Sequence, residues 1–272
     1  MSALPFVFAA LGILCLLFAP GRTRTFVYPV GVSLLGLAAW QATCEFAAPT
    51  AFPTPGQTLA AMQQLIASDR LWGDMTASLY RVTWGFFIAA AVGIPLGLVV
   101  GWSTRAFKAL NPVVQGLRPI SPIAWIPIAI LWFGIGDGAG VFLIFLSSFF
   151  PITVGTTAAV QNISLVHQRS AMNFGLSRLE LFRRVVLPAA MPQIITSLRI
   201  ALGVAWLVIV AAEMVGMSSG LGYLVNDARN MGSRYDLVVA TMLVIGAIGI
   251  VIDLLICQLQ KFDEVRWGYV KR

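Results

Sequence analysis

Charged residues are scarce in this chain of 272 amino acids. Lysine, arginine, aspartate and glutamate together make up only 11% of it, whereas apolar residues make up 58%. A water-soluble domain of this size needs more charge to cover its surface, so the composition indicates an integral membrane protein. We therefore expect an all-α fold in which helical spans of about 20 residues cross the bilayer.

Cysteine and histidine are also scarce. Cys15, Cys44 and Cys257 lie far apart in apolar segments, and His167 is the single histidine. This spacing favours neither a disulfide framework nor a metal-ligand cluster. The sequence also lacks a hydrolase triad, a dinucleotide-binding glycine motif and an ATP-binding P-loop. These absences argue against an intrinsic enzyme and against a metal or cofactor bound by this chain, and they favour a transport role.

The net charge of +7 is better explained by membrane topology than by nucleic-acid binding. Lysine and arginine fall mainly in short loops beside apolar runs, and the positive-inside rule places such loops in the cytoplasm. The alternation of loops predicts seven spans in a cytoplasmic membrane, with the N-terminus outside and the C-terminus inside. The predicted spans are 4–20, 26–48, 78–102, 111–133, 141–160, 193–217 and 237–259.

These spans predict a division of the chain into four parts. Residues 1–25 form an extra N-terminal span and a basic loop, and residues 26–77 form a peripheral span with an extracytoplasmic segment. Residues 78–260 form the helical core, which includes a cytoplasmic elbow at 164–192, and residues 261–272 form a cytoplasmic tail. The first apolar run is of marginal length, so it is either a retained span or an interfacial segment.

Small residues recur every fourth position along the span 78–102. Gly85, Ala89, Gly93, Gly97 and Gly101 fall on one stripe of the helix. In lipid, helices associate through close packing rather than through hydrophobicity, and a stripe of small residues permits a close approach. We expect this stripe to pack against a neighbouring helix of the bundle.

The span 111–133 is unusual because Pro119, Pro122 and Pro127 follow one another closely within it. Each proline removes a backbone donor, and such breaks at membrane depth are tolerated where protein or a watery cavity satisfies the freed groups. Arg118 directly precedes Pro119. It either attracts an anion on a transport pathway or is a snorkelling or ion-paired structural arginine. Trp125 and Trp132, on the same span, either line the pathway or face lipid.

Glu213 lies in the span 193–217, where an acid is costly unless it is partnered or wetted. It is therefore either a pathway residue, a member of a structural ion pair or an interfacial acid.

The segment 164–192 is an amphipathic, arginine-rich interruption between two very apolar regions. Gly175 separates two short helical patterns. Ser177 precedes Glu180 by three residues, which is the spacing of a capping box. Pro188 and Pro192 follow, where a helix is expected to kink or restart. We predict a helix-turn-helix elbow outside the membrane.

The spacing within this elbow resembles a known motif. Arg169 begins the run RSAMNFG, nine further residues follow Gly175, and the run then ends in VVLP at Pro188. This pattern resembles the EAA loop of permease subunits in binding-protein-dependent ABC importers. Arg169, Ser170 and Val185 depart from the residues usual in that motif. The stretches LRPISPIAW, ILWFGIG and LRIALGVAWLVIVAAEMVG resemble the branch that handles nitrate, sulfonates, taurine and bicarbonate.

The resemblance implies the membrane-spanning subunit of an ATP-driven importer that moves a small anion by alternating access. It implies a type I importer core of five helices, a second copy of the chain, two ATP-binding subunits that carry ATP and magnesium, and an extracytoplasmic solute-binding protein. Gly175 would supply the bend of the elbow. The remaining residues expected to couple to the ATPase are Ala171, Phe174, Leu176, Arg178, Phe182, Arg183, Leu187 and Pro188. Phe174 and Phe182 either fill the ATPase groove or pack against their own spans.

Two alternatives remain open from the sequence. The same motifs fit an ABC permease for a neutral vitamin precursor such as a pyrimidine, in which only the cavity would differ. A broken span and a membrane acid also fit a channel or an ATP-independent secondary transporter.

Overall fold

The computed structural model describes residues 5, 7, 9–11, 24–46, 52–232 and 234–259. Within these residues all regular structure is helical. Most of the predicted first span and the whole predicted tail lie outside the described residues. The longer helices are α1 (Arg24–Phe46), α2 (Pro55–Ile66), α3 (Asp69–Trp102), α4 (Thr104–Leu117), α5 (Ile126–Phe133), α6 (Asp137–Gln161), α7 (Leu165–Asn173), α8 (Arg178–Leu181), α9 (Leu187–Gly216), α10 (Leu221–Asn230) and α11 (Tyr235–Leu259).

Four of the described helical segments are long and apolar enough to cross a membrane. They are Asp69–Trp102, Asp137–Gln161, Arg178–Gly216 and Tyr235–Gln258. A fifth span results if α4 and the following segment Pro122–Phe133 are counted together. The helical, membrane-spanning fold is thus confirmed, whereas the predicted total of seven spans is not.

The chain forms two compact units. The first combines Met1–Leu71 with Val225–Val244, and the second combines Trp72–Leu224 with Ile245–Arg272. In the first unit, the side chain of Thr54 caps α2 and Gln57 returns the bond, which completes a capping box. Pro55 occupies the first turn, where its missing N–H costs nothing.

The second unit is built around an antiparallel pair of helices, α6 and α9, which make extensive contact. Gly155 lies so close to Ser197 that a Cβ atom on the glycine would overlap the serine side chain. Near the other end of the pair, a Cβ on Gly140 would lie 3.0 Å from the terminal methyl of Met217. Glycines therefore allow the approach at both ends of α6.

The stripe of small residues on α3 faces α6. A Cβ atom on Gly85 would lie 2.6 Å from Cβ of Ile144, and one on Gly97 would lie 2.6 Å from Cβ of Thr156. Gly93 and Gly101 make similar close approaches one turn away on either side of Gly97. The stripe thus sets the distance between these two helices.

The proline-rich span differs from the predicted element. Its first half is α4, which begins at Thr104 after the single connecting residue Ser103, rather than at residue 111. Arg105 and Lys108, which the sequence placed in a loop, therefore lie within a helix. The second half, Pro122–Phe133, is inclined to α4 by 83°. Pro119 and Pro122 lie in or beside the break, as expected from their missing donors.

Candidate functional site

The first half of the elbow is α7, and it ends at a glycine with a left-handed backbone. Gly175 has φ of 81°, which a residue with a side chain adopts at a cost. Its N–H donates to the carbonyl of Met172 at 2.9 Å, and the N–H of Leu176 donates to the carbonyl of Ala171 at 3.3 Å. This pair of bonds is a Schellman motif, which satisfies the last carbonyls of the helix and turns the chain.

The second half of the elbow starts at the predicted capping box. The N–H of Glu180 donates to Oγ of Ser177 at 3.3 Å, and the N–H of Ser177 donates to Oε2 of Glu180 at 3.0 Å. The two reciprocal bonds satisfy free donors at the start of α8. The free backbone groups on both sides of the turn, at the end of α7 and at the start of α8, are therefore hydrogen-bonded.

The helix does not restart at Pro188. Helical structure is continuous from Arg178 to Gly216 and contains one wide π-helical turn, Phe182–Val186, immediately before α9. Proline cannot donate, and its ring crowds the preceding turn, so a wide turn at this position accommodates it. Pro192 lies within α9. The prediction that the helix restarts at these prolines is thus wrong, and a local widening of the helix precedes Pro188 instead.

The inner face of the elbow packs into the protein. Ala171, Leu181 and Val186 are buried in one cluster with residues of α6 and α9, and Leu176 and Phe182 pack against it. The ring of Phe182 meets that of Trp102 edge-to-face at 5.6 Å. Of the proposed groove contacts, Ala171, Leu176 and Phe182 thus have partners within their own chain.

The outer face of the elbow carries the exposed apolar side chains. Phe174 is 83% exposed, and Val166, Met172 and Leu179 are more than half exposed. Large apolar side chains so exposed outside the lipid-facing spans indicate a surface for another protein. We call these four residues the elbow patch. The side chains of His167 and Arg169 lie outside the described residues.

The second half of the elbow also carries exposed arginines. Arg178, Arg183 and Arg184 are exposed, and Arg184 lies 3.9 Å from Glu180. Leu187 is half-buried and Pro188 is exposed. Beside the elbow, a cavity of about 820 Å³ is bounded by Arg178, Met172 and Leu181 on one side and by the start of α4 on the other.

Arg118 lies at the end of α4, where the broken span bends. Its side chain is exposed and forms no ion pair with any described residue. Trp125 is half-buried, and Trp132 is 62% exposed and packs edge-to-face on Phe142 at 5.8 Å. Within the described part of the chain, no acid therefore pairs with Arg118, so the interpretation of Arg118 as an ion-paired structural residue lacks support.

Glu213, in contrast, belongs to a buried ion pair. Its Oε1 accepts a hydrogen bond from Nη1 of Arg81 at 2.8 Å, and both residues are almost completely buried. Ser78 donates to the same carboxylate at 2.8 Å, and the N–H of Gly222 donates to it at 3.0 Å. These partners support the interpretation of Glu213 as a member of a structural ion pair.

Arg81 was not singled out from the sequence. Its Nε donates to Asp137 at 2.7 Å, and its remaining donors reach the carbonyl and hydroxyl of Ser219. Asp74, Ser78 and Arg81 are spaced by four and three residues, so they share the helical face that continues into the glycine stripe. This periodicity of polar residues in an apolar helix was the available signal.

The buried network and the elbow lie at opposite ends of the α6–α9 pair. Asp137 begins α6 and Glu213 lies in the last turn of α9, whereas the elbow joins the end of α6 to the start of α9. A rigid, capped elbow can pass a displacement to both helices, because interdigitated helices move as units. The arrangement suits a membrane subunit that is driven by a partner at the elbow.

Comparisons with known proteins agree with this geometry. The family described as "Binding-protein-dependent transport system inner membrane component" matches residues 93–262. The taurine transport system permease protein TauC of Escherichia coli is 33% identical over 88% of this chain and 89% of its own. The nitrate import permease protein NrtB of Leptolyngbya laminosa is 40% identical over 68% of this chain and 66% of its own.

The fold is similar to one seen in solved transporters. A chain from inward-facing structures of the MetNI methionine ABC transporter aligns with a TM-score of 0.62 and 17% identity, over 73% of this chain and 95% of that one. The family match covers more than half of the sequence, including the elbow, α6 and α9. The chain therefore belongs to the family of binding-protein-dependent transport system inner membrane components, and it is a multi-pass ABC importer permease that works with ATP-binding and substrate-binding subunits.

Proposed function

We propose that this permease imports a small anion of the nitrate, sulfonate or bicarbonate class. The observation that carries the proposal is its similarity to permeases named for taurine and for nitrate. Taurine carries a sulfonate group, so both solutes present negatively charged oxygens. Arg118 supports the proposal, because an unpaired positive charge at a break in a span attracts anions.

The working unit proposed here contains two copies of this chain, two ATP-binding subunits and one solute-binding protein. The two ATP-binding subunits hold ATP and magnesium and contact the elbow patch of each permease copy. Closure of the ATP-binding subunits moves the elbows, and the α6–α9 pairs turn the pathway from inward-facing to outward-facing. Hydrolysis then resets the pathway after the solute has entered.

The proposed topology places the elbow in the cytoplasm, the N-terminus outside and the C-terminus inside. Its support is the concentration of arginine in the elbow, together with the basic C-terminal tail. On this topology the buried Arg81–Glu213 network lies near the outer surface, where it joins α3, the start of α6, the end of α9 and the start of α10.

Solute uptake tests the substrate class. The permease, its ATP-binding subunits and the soluble binding protein that co-purifies with them are reconstituted in liposomes that contain ATP. We expect ATP-dependent uptake of labelled nitrate, taurine or bicarbonate, and competition by an excess of the same unlabelled anion. Uptake of an uncharged pyrimidine without uptake of any of these anions would assign the neutral alternative instead.

A further inference from the structure

We propose that α4 lines a water-filled passage between the bend of the broken span and the elbow, and that it holds the transported anion there. The residues concerned are Lys108, Asn111, Gln115 and Arg118, which we call the polar stripe. This inference rests on the proposed import of an anion. It adds an anion-binding site to the proposed pathway, in which only Arg118 was named. In this site the neutral amides of Asn111 and Gln115 lie between the positive charges of Lys108 and Arg118.

The spacing of the polar stripe places its members on one face of α4. They are separated by three, four and three residues, which returns the side chains to the same side of the helix. The stripe extends over ten residues, or about 15 Å of helix. The opposite face carries Leu110, Val113 and Leu117, which are exposed apolar residues. These apolar residues line a separate cavity of about 320 Å³ with Phe145 and Phe149 of α6, so the two faces of α4 differ sharply in polarity.

A cavity of about 170 Å³ separates the polar stripe from α6. Asn111 and Gln115 line it from α4, and Thr153, Thr157 and Gln161 line it from α6 at a spacing of four residues. At about 30 Å³ per water molecule, the space suits a small hydrated solute. Polar side chains therefore face one another across the cavity from both helices.

The hydroxyl of Thr153 has no hydrogen-bond partner among the described residues, although the side chain is only 1% exposed. An unbonded buried hydroxyl is uncommon in a folded protein. Thr157 differs, because its hydroxyl donates to the carbonyl of Thr153 at 2.8 Å. Rotation of Thr153 about χ1 exchanges its methyl and hydroxyl groups, so this residue can supply a further donor to a guest in the cavity.

The described residues that line the cavity are uncharged, and the charged residues nearest to the amides along α4 are both positive. The sequence contains no aspartate or glutamate between Asp74 and Asp137 or between Asp137 and Glu180. Lys108 and Arg118 flank the amides, and neither forms an ion pair with a described residue. Positive charge at both ends with neutral donors between them attracts an anion without holding it too tightly to leave.

A second, larger cavity adjoins this one on the side of the elbow. Phe107 and Gln161 line both this cavity and the larger one beside the elbow. The larger cavity carries Arg105 and Arg178, which are exposed. An anion that leaves the amides therefore meets positive charge on its way to the elbow end of the protein.

Cysteine labelling of the complete transporter tests the polar stripe. Cys15, Cys44 and Cys257 are first replaced with alanine, and Asn111→Cys and Gln115→Cys are then made separately. Val113→Cys is the matched control, since it lies on the opposite face of α4. Each variant is exposed to a negatively charged and to a positively charged methanethiosulfonate reagent, with and without nitrate or taurine.

We expect both stripe cysteines to react about tenfold faster than the control with the negatively charged reagent, after correction for the reactivity of free thiols. Either nitrate or taurine should slow this reaction, and Arg118→Gln should reduce the preference for the negatively charged reagent. Equal labelling of both faces of α4, or a preference for the positively charged reagent, would overturn the inference. It would also be overturned if a second copy of the chain blocked the labelling while nitrate and taurine left it unchanged.

Uptake measurements separate this inference from the proposed function. Asn111→Leu and Gln115→Leu should each slow anion uptake several-fold while the complex still assembles. Normal anion uptake by both variants, with no labelling of the stripe, would overturn the polar stripe and leave the proposed function standing. Fast, anion-preferring labelling in a transporter that imports only a neutral solute would overturn the proposed substrate and support the passage.

Discussion

Arg81 shows how a charged residue is kept inside a membrane protein. The guanidinium group has donors on several sides, and Asp137, Glu213 and Ser219 accept from it. Backbone N–H groups just after α9 also donate hydrogen bonds to the acids. Gly220 donates to Asp74 at 2.8 Å, and a side chain on Gly220 would collide with the carboxylate of Glu213. Nearly every charge in this network therefore has a fixed partner.

Removal of one member of the Arg81–Glu213 pair should destabilise the protein strongly. Arg81→Met leaves Glu213 as an uncompensated buried charge, and the expected loss is about 3–5 kcal/mol of unfolding free energy. The double variant Arg81→Met/Glu213→Leu should recover part of this loss, because neither charge remains. Thermal unfolding of the purified permease in detergent measures both effects. Single variants as stable as the parent would show that the pair is not structural.

Phe174 and Phe182 form a matched pair with opposite surroundings. Phe174→Ala should change the unfolding free energy by less than about 0.5 kcal/mol, as expected for a surface residue. Phe182→Ala should cost about 2–3 kcal/mol, because it removes the contact with Trp102. Only Phe174→Ala should weaken co-purification of the ATP-binding subunit without changing stability. The reverse assignment would show that the elbow patch is not the docking surface.

At the scale of helices, the elbow is constrained both at its turn and along its inner face. A Schellman motif ends its first helix, and a capping box starts its second. Its inner face is packed against α6 and α9. In the proposed mechanism, the elbow therefore moves with these two helices rather than independently of them.

Gly175→Val should disturb the elbow without a steric clash. No other part of the described chain lies within 4 Å of a Cβ built at this position, so the cost comes from the left-handed backbone alone. That cost is about 1–2 kcal/mol, and it should lower ATP-dependent uptake while leaving membrane insertion intact. Gly175→Asn is the control, because asparagine tolerates this backbone conformation and should retain most uptake. Equal uptake by the two variants would contradict the role of the turn.

Substitutions at Gly97 and Gly203 distinguish the effect of helix packing on stability from the effect of helix propensity. Gly97→Ala places a methyl group 2.6 Å from Cβ of Thr156 and should destabilise the protein. Gly203 lies in α9 with open space around its Cβ position, so Gly203→Ala should stabilise by up to about 1 kcal/mol. Thermal unfolding of the two variants in parallel should give shifts of opposite sign. Shifts of the same sign would mean that the close approach of α3 and α6 is unimportant.

Local patterns predicted the elements that depend on neighbouring residues. The capping box at Ser177, the turn at Gly175 and the break at Pro119–Pro122 all follow from backbone chemistry over a few residues. Partners distant in the sequence were not predictable in this way. The pairing of Arg81 with Glu213 joins residues separated by 132 positions, and the inward orientation of Phe182 depends on Trp102 in another helix.

At the scale of the whole molecule, the core helices have two functional ends. The elbow end carries exposed apolar and basic side chains, and the opposite end carries the buried ionic network. In the proposed mechanism, the buried network gives the helices a fixed point, so displacement of the elbow becomes a tilt rather than a translation. This division suits a permease that is powered by a separate subunit.

The dependence of uptake on ATP tests this account most directly. Liposomes are prepared with the complete transporter or with this chain alone, and uptake of labelled nitrate and taurine is measured with internal ATP and with ion gradients. We predict that at least one of the two anions is taken up, only by the complete transporter and only with hydrolysable ATP. Uptake by this chain alone, driven by an ion gradient, would contradict the account.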